Sequence, residues 1–142
     1  MTIAIILQGR ESTVFSASPD EPVEAVAARL AEKRIGALPI VDGGRVIGIF
    51  SERDVIYGLA QHGAELMNKR VSEVMTAPAI TVSSDTPVLS ALSLMTRRRI
   101  RHLPVVDADR IVGFVSIGDL VKHRIEKIEA EASAMRDYIQ MA

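Results

Sequence analysis

Hydrophobic and polar positions follow the same order twice along the chain. In the first block, residues 14–17 are typical of a short strand, and apolar residues at helical spacing from Val23 predict an amphipathic helix with Asp20 as its cap. Residues 38–41 predict a buried strand, and residues 42–45 have the composition of a tight turn that leads into the next strand. A second helix closes the block, so the predicted order is strand, helix, strand, strand, helix.

The second block repeats the first at a constant offset of 65 residues. Residues 20–54 align with residues 85–119 without a gap, and 13 of these 35 positions are identical. Both blocks keep two prolines and a Gly-x-x-Ser-x-x-Asp sequence in register, which chance similarity between apolar segments would not produce. The chain therefore contains an internal repeat.

The repeat divides the chain into two similar units with three flanking segments. We expect an α/β (α+β) fold in which two βαββα units pack with pseudo-twofold symmetry, so that the grooves between them also come in pairs. A long C-terminal helix follows the second unit. The predicted boundaries are an N-terminal packing segment 1–13, unit 1 at 14–63, a linker 64–78, unit 2 at 79–125 and a helical extension 126–142.

The C-terminal helix carries a second apolar pattern. From Val121 to Ile139 its apolar residues are three or four positions apart, with charged residues between them. This heptad-like spacing extends over less than three heptads, which is short for a secure coiled coil. Two interpretations stay open at this point: the helix packs along its own protomer, or it builds a homodimer.

Composition excludes several classes of protein. The chain has no Cys, which removes disulfides, thiolate metal sites and cysteine nucleophiles, and its three His residues have no metal-ligand spacing. A net charge of −1 gives no extended basic face for nucleic acid or anionic lipid. The opening apolar run has neither the length of a membrane span nor the pattern of a signal peptide. We therefore expect a cytoplasmic protein without a nucleic-acid or membrane partner.

The Gly-x-x-Ser-x-x-Asp sequences are the candidate functional motifs. Ser51 and Asp54 in unit 1, and Ser116 and Asp119 in unit 2, each lie where a strand passes into a helix. A Ser or Asp at such a position commonly caps the helix. The same groups also suit a ligand, because a carboxylate accepts hydrogen bonds from vicinal hydroxyls and a helix N-terminus attracts anions. Asp54 and Asp119 belong to different clefts, so no acid/base pair and no catalytic residue is predicted.

The paired sequences LPIVD and LPVVD, GIFSERD and GFVSIGD, together with VSEVMT before the second unit, resemble a tandem pair of CBS domains, also called a Bateman module. The resemblance is to stand-alone bacterial proteins of this kind. It implies two clefts that bind adenine nucleotides: AMP, with ATP, ADP or NAD(H) as further candidates and no catalytic cofactor. It also implies a non-enzymatic sensor of energy or redox state, a homodimer and an unknown downstream protein.

In this family each cleft combines the Ser and Asp of one unit with the Leu-Pro segment and helix start of the other. The resemblance therefore implies two sets of site residues. Cleft 1 would contain Ser51, Arg53, Asp54, Thr81, Val82, Thr86, Arg101 and His102. Cleft 2 would contain Ser16, Ala17, Glu21, Gly36, Ala37, Ser116, Ile117, Gly118 and Asp119.

The two sets differ in charge. Arg101 and His102 supply cleft 1 with basic side chains, whereas no cation is expected in cleft 2. We therefore expect cleft 1 to prefer a polyphosphate or dinucleotide ligand and cleft 2 a monophosphate such as AMP. No residue distinguishes these ligands from S-adenosylmethionine by its base. The alternatives are a dimeric interaction module with vestigial clefts and, less favoured, a small nucleotide-processing enzyme.

Overall fold

Each half of the repeat folds as an antiparallel hairpin flanked by helices in the computed structural model, which describes residues 1–10 and 14–141. This arrangement confirms the predicted α/β class with two units and a long C-terminal helix. The elements in chain order are α1 (Ile3–Leu7), α2 (Val23–Lys33), β1 (Ala37–Asp42), β2 (Arg45–Ser51), α3 (Glu52–His62), a 3₁₀ helix (Gly63–Asn68), α4 (Val71–Val74), α5 (Val88–Arg98), β3 (His102–Asp107), β4 (Arg110–Ser116) and α6 (Ile117–Met141).

The hairpins have the same register in both units. In unit 1, Ala37 pairs with Ser51, and in unit 2 His102 pairs with Ser116. Each hairpin has an irregularity in its register at the same place, before Val41 and before Val106. The last residue of the second strand thus lies beside the first residue of the first strand, where the helix begins.

The first strand predicted in each unit is much shorter than the sequence suggested. Ala17 forms a single parallel bridge with Ile40, and Val82 forms the equivalent bridge with Val105. Both residues are buried, and their backbone groups bond to the neighbouring strand on both sides, as in Ala17 N to Pro39 O at 3.1 Å. The pairing exists, but it is limited to one residue.

Two separate apolar cores lie under the two hairpins. The core of unit 1 is built around Val26, Leu38 and Phe50, and the core of unit 2 around Ala91, Leu103 and Val115. Phe50, Leu38 and Leu103 are fully buried. Because burial of each large apolar side chain contributes about 1.5–3 kcal/mol, these clusters hold each hairpin against its helices.

The flanking segments complete these cores across the boundaries of the repeat. Ile3 of α1 belongs to the core of unit 2, whereas Leu66 and Val71 of the segment between the units belong to the core of unit 1. Backbone bonds reinforce both placements: Ile3 N donates to Thr86 O at 2.9 Å, and Val71 N donates to Glu21 O at 2.8 Å. The N-terminal segment and the linker thus occupy equivalent positions on opposite units.

This arrangement explains why Asp20 does not cap α2, contrary to the sequence prediction. The N-cap is Pro22, and Val23 N donates to the backbone oxygen of Lys69 at 2.8 Å. The linker therefore satisfies the helix start that a side chain was expected to satisfy. The Asp20 carboxylate instead forms an exposed 3.5 Å ion pair with Arg70.

Candidate functional site

Ser116 and Asp119 form a reciprocal cap at the start of α6. Ser116 N donates to Asp119 Oδ2 at 2.8 Å, and Asp119 N donates to Ser116 Oγ at 3.1 Å. These bonds satisfy two groups at the strand-to-helix junction and fix the carboxylate in one orientation. The expected capping role is therefore present, and it leaves Asp119 Oδ1 directed away from the cap.

That second carboxylate oxygen pairs with a residue from the N-terminal segment. Arg10 Nη2 lies 2.9 Å from Asp119 Oδ1, and Arg10 Nη1 donates to Phe114 O at 3.3 Å. Burial alone would raise the pKa of Asp119, but the bond from Ser116 N and the ion pair with Arg10 outweigh it and lower the pKa. Asp119 is therefore a stably ionised carboxylate whose two oxygens are both engaged.

A cleft of about 700 Å³ opens in front of this pair and has walls from both units. Unit 2 supplies His102, Val112, Gly113, Phe114, Ser116 and Asp119, unit 1 supplies Val14, Phe15, Arg34, Ile35, Gly36 and Ala37, and the N-terminal segment supplies Leu7 and Arg10. This volume lies within the range of about 300–1,000 Å³ that ligand pockets occupy. The cleft can accommodate a ligand of nucleotide size.

The wall from unit 1 is set by the end of α2. Arg34 is the C-cap of this helix and has left-handed backbone angles, φ 53° and ψ 45°. The chain thereby leaves the helix at a sharp angle and passes through Ile35 and Gly36 into β1 at the cleft. Arg34 and Arg10 both line the cleft, so the expectation that it contains no cation does not hold.

His102 lies in this cleft beside Ser116, the residue with which it pairs in the hairpin. Its ring stacks on Phe114 with ring centroids 5.5 Å apart and planes inclined by 10°. Burial lowers the pKa of His102, and the nearby carboxylates of Asp119 and Glu52 only partly oppose this effect. His102 therefore presents a neutral, stacked imidazole to the cleft near neutral pH.

The equivalent motif of unit 1 makes the same cap but has a different neighbour. Ser51 N donates to Asp54 Oδ2 at 2.9 Å, and Asp54 N donates to Ser51 Oγ at 3.4 Å. Thr76 Oγ1 donates to Asp54 Oδ1 at 2.9 Å, so a neutral hydroxyl of the linker occupies the position that Arg10 has in unit 2. The two carboxylates are thus structurally equivalent and electrostatically different.

The remaining residues proposed from the sequence are distributed as follows. Of the cleft 2 set, Ser116, Asp119, Gly36 and Ala37 line the 700 Å³ cleft. Glu21 lies in an ion pair with Arg29 at 2.5 Å, and the hydrogen bond from Arg29 is the main cause of its lowered pKa. Ser16 O accepts from Arg29, Ala17 is buried, Ile117 packs against the unit 2 core and Gly118 is exposed in the first turn of α6.

Of the cleft 1 set, Ser51 and Asp54 lie together, and His102 faces the cleft of Asp119. Arg53, Thr81 and Arg101 are exposed, Val82 is buried, and Thr86 Oγ1 accepts from Ser83 N. Within residues 1–10 and 14–141, no hydrogen bond or ion pair joins the side chains of Arg53, Thr86 or Arg101 to Asp54. Arg101 O accepts from Ile117 N at 2.8 Å, which ties its backbone to the start of α6.

Several lining residues were not found from the sequence. Phe15 and Phe114 give the cleft two aromatic rings in a chain that has only three Phe residues, and Lys33 Nζ lies 4.9 Å from the centre of the Phe15 ring. Arg10 is more than one hundred positions from Asp119 in the sequence, and no motif links them. The one signal that could have indicated Arg10 is the structural equivalence of the N-terminal segment and the linker, which the sequence analysis did not identify.

Among the residues that the structure describes, no three His, Asp or Glu side chains are grouped so that they could hold a metal ion. In the same part of the chain, every helix is too short or too polar to span a lipid bilayer.

Comparison with known proteins relates these features to a family. The chain is 34% identical over 126 residues to the mitochondrial CBS domain-containing protein CBSX3 of Arabidopsis thaliana. The aligned residues make up 85% of this chain and 61% of CBSX3. Among solved structures, the CBS-domain protein ATU1752 of Agrobacterium tumefaciens superposes with a TM-score of 0.82 at 33% identity and covers 87% of this chain and 99% of its own.

Two similar structures contain ligands. The CBS domain pair of protein MJ0100, in complex with 5′-methylthioadenosine and S-adenosyl-L-methionine, has a TM-score of 0.77 and 29% identity over 89% of this chain and 98% of its own. CBSX2 in complex with AMP has a TM-score of 0.76 and 25% identity, over 88% of this chain and 96% of its own.

The family comparison matches two separate stretches of the chain, residues 11–61 and 71–126, to the CBS domain. These stretches coincide with the two halves of the internal repeat, each with one hairpin, one Ser-x-x-Asp cap and one apolar core. The chain therefore belongs to the CBS domain family, as a tandem pair of CBS domains.

Proposed function

We propose that this chain is a non-enzymatic regulatory module that binds an adenine nucleotide between its two CBS units and reports the energy or redox state of the cell. The observation that carries the proposal is the cleft in which the Ser116–Asp119 cap of unit 2 faces Gly36 and Ala37 of unit 1. A ligand in this cleft touches both units. Its binding can therefore shift their relative arrangement if one arrangement binds more tightly than another.

The chemistry of the cleft suits the parts of a nucleotide. The ionised Asp119 carboxylate can accept hydrogen bonds from both hydroxyls of a ribose. Ser116 Oγ accepts from Asp119 N and still has its own proton to donate to a phosphate. It lies at the N-terminus of α6, where the helix dipole attracts anions. Phe15, Phe114 and Ile35 supply apolar surface for a base.

The ligands of similar structures support the same class of molecule. CBSX2 was solved with AMP, and the CBS pair of MJ0100 with 5′-methylthioadenosine and S-adenosyl-L-methionine. All of these molecules contain an adenosine moiety. For this chain we propose AMP as the ligand of the Asp119 cleft, with ADP, ATP and NAD(H) as further candidates.

The experiment that tests the proposal is identification of the bound molecule. Protein purified without added nucleotide is denatured, and the released small molecules are identified by mass spectrometry. We expect an adenine nucleotide in the wild-type sample and its loss from an Asp119→Asn variant. Protein that carries no nucleotide and takes none up from a mixture of AMP, ATP and NADH would contradict the proposal. Turnover of any of these compounds by pure protein would favour an enzyme instead.

A second function is favoured by the apolar residues on two helices. Ile56 and Tyr57 of α3 are each 64% exposed, and Ile125 and Ile128 of α6 are 50% and 49% exposed. These residues fit the alternative of a dimeric interaction module whose output is its contact surface. A dimer that forms and binds its partner protein equally well with the Asp54→Asn and Asp119→Asn changes combined would favour this alternative over nucleotide sensing.

A further inference from the structure

We infer that Arg10 determines the ligand specificity of the Asp119 cleft. In the free protein its guanidinium is paired with the Asp119 carboxylate, which is the proposed ribose-binding group. When a nucleotide binds, the guanidinium moves to the phosphate of the ligand. The inference rests on the proposed function and names the feature of the nucleotide that the cleft selects. A nucleoside without phosphate breaks the ion pair and offers the guanidinium nothing in return. A nucleoside monophosphate breaks the same ion pair, but its phosphate becomes the new partner of the guanidinium.

The starting contact is well defined. Arg10 Nη2 lies 2.9 Å from Asp119 Oδ1, and both side chains are partly exposed, at 38% and 33%. Asp119 Oδ2 is engaged by Ser116 N. A ribose diol that approaches this carboxylate must therefore compete with Arg10 for Oδ1. In unit 1 the corresponding oxygen of Asp54 meets the neutral Thr76 hydroxyl, which can rotate and remain as a hydrogen-bond partner.

The backbone around Arg10 allows the side chain to change partners without releasing the segment. Leu7 packs so closely on Gly113 that a Cβ added there would lie 2.6 Å from Leu7 Cδ2. This contact fixes the segment to β4 three residues before Arg10. Gly9 follows with φ +77°, and apart from its chain neighbours no atom of residues 1–10 and 14–141 lies within 4 Å of the position of a Cβ. Glycine adopts such angles readily. Arg10 is therefore joined to the fixed residue Leu7 through Gly9, a residue around which the backbone can turn.

Charge explains why the transfer favours phosphate. Arg10, Arg34 and Asp119 all line the cleft, and Asp119 is the carboxylate that its described residues contribute. Guanidinium groups form paired hydrogen bonds with phosphate as well as with carboxylate. When a ribose occupies Asp119, the guanidinium loses its anionic partner unless the ligand brings another one. The phosphate of AMP supplies that partner, whereas adenosine does not.

The test compares adenosine and AMP by isothermal titration calorimetry on the wild-type chain and an Arg10→Gln variant. We expect Arg10→Gln to bind adenosine about three- to tenfold more tightly, because the competitor for Asp119 is gone. The affinity for AMP should change by less than about twofold, because the loss of the phosphate contact offsets the release of Asp119. The ratio of the AMP affinity to the adenosine affinity should therefore fall in Arg10→Gln by about three- to tenfold, the factor by which adenosine binds more tightly.

Arg70→Gln is the matched control. It removes one arginine from another exposed ion pair, that with Asp20, and Arg70 does not line the cleft. Its preference for AMP should equal that of the wild-type chain. Equal preferences in Arg10→Gln and the wild-type chain would overturn the inference alone. Absence of binding of both ligands to the wild-type chain and to Arg10→Gln would overturn the proposed function, and the inference with it.

Discussion

His102 shows how a single residue depends on its hairpin register. The sequence comparison of the units placed it with Ser51 and Asp54, because in this family each cleft takes its Leu-Pro segment from the opposite unit. In the structure it pairs with Ser116 across β3 and β4 and stacks on Phe114, on the side of Asp119. The register follows from the turn at residues 107–110 and fixes the face of the sheet that His102 occupies. The cleft to which that face belongs depends on how the two units pack together, which no local pattern specifies.

The lowered pKa of His102 predicts a pH effect on stability. The unfolded chain takes up a proton near the ordinary value of 6.5, whereas burial makes the folded chain resist it. The unfolded state therefore binds more protons, and the free energy of unfolding decreases as the pH falls from 7 to 5.5. We expect the wild-type Tm to decrease over this range and the decrease to be smaller in His102→Gln. Equal slopes of Tm against pH in the two proteins would contradict the burial of His102.

Arg10 is a cleft residue that no pattern in the sequence indicated. The Ser and Asp positions were identified because they repeat, but their partners Arg10 and Thr76 come from segments that lack a clear internal repeat. The difference between a cation and a hydroxyl at these positions arises from packing between distant parts of the chain. Repetition therefore identified the common half of each site and missed the half that differs.

At the scale of elements, the helices and hairpins were predicted well and their attachments were not. The helix α2 follows from apolar spacing, and the first hairpin from turn composition and a buried strand. The helix α5 and the second hairpin follow from the internal repeat. The first strand of each unit is only a bridge, because Ala17 and Val82 pair at one residue. The placement of α1 on unit 2 and of the linker on unit 1 depends on contacts between distant residues, which periodicity does not reveal.

The close fit of the linker against unit 1 can be tested at Gly48. A Cβ at this position would lie 2.5 Å from Met75 Sδ and 3.0 Å from the backbone oxygen of Thr76. Gly48→Ala must therefore push residues 75–76 away from β2, including the Ile49 N to Thr76 O bond of 2.9 Å. We expect a loss of about 1–3 kcal/mol in the free energy of unfolding, measured by urea denaturation.

Gly118→Ala serves as the control for this change. Gly118 lies in the first turn of α6, and the nearest non-neighbouring atom of the described residues to a Cβ there is Ser116 Oγ at 3.6 Å. Alanine should leave the free energy of unfolding within about 0.5 kcal/mol of wild type or raise it. A Gly48→Ala variant as stable as Gly118→Ala would show that the linker is not held tightly against β2.

At the scale of the whole molecule, α6 extends far beyond the body of unit 2. Residues 125, 128, 135 and 139 form an apolar stripe along its exposed length, and Ile139 is 64% exposed. The sequence left open whether this helix packs on its own protomer or builds a dimer. Its exposure in the single chain favours the proposed homodimer, because a stripe of this spacing is covered when two helices pack together.

The proposed dimer predicts a specific response to charge on the stripe. Ile125→Asp places a carboxylate in the apolar contact and should convert the dimer to a monomer in sedimentation velocity experiments, with at least tenfold weaker association. Ala130→Asp adds the same charge on the opposite face of α6, where helical periodicity directs it to solvent. That control should remain dimeric. A monomeric wild-type chain, or dissociation by both changes alike, would contradict the proposed dimer.

The measurement that tests the central claim most directly is a calorimetric titration of AMP into the wild-type chain and an Asp119→Asn variant. Asparagine can still accept the bond from Ser116 N and preserve the cap, but it lacks the charge that a ribose diol requires. We expect saturable binding to the wild-type chain and about 10- to 100-fold weaker binding to Asp119→Asn. Asp109→Asn, in the exposed turn before β4, should bind as the wild-type chain does. Absence of AMP binding to the wild-type chain, or equal affinity of Asp119→Asn, would contradict nucleotide recognition in this cleft.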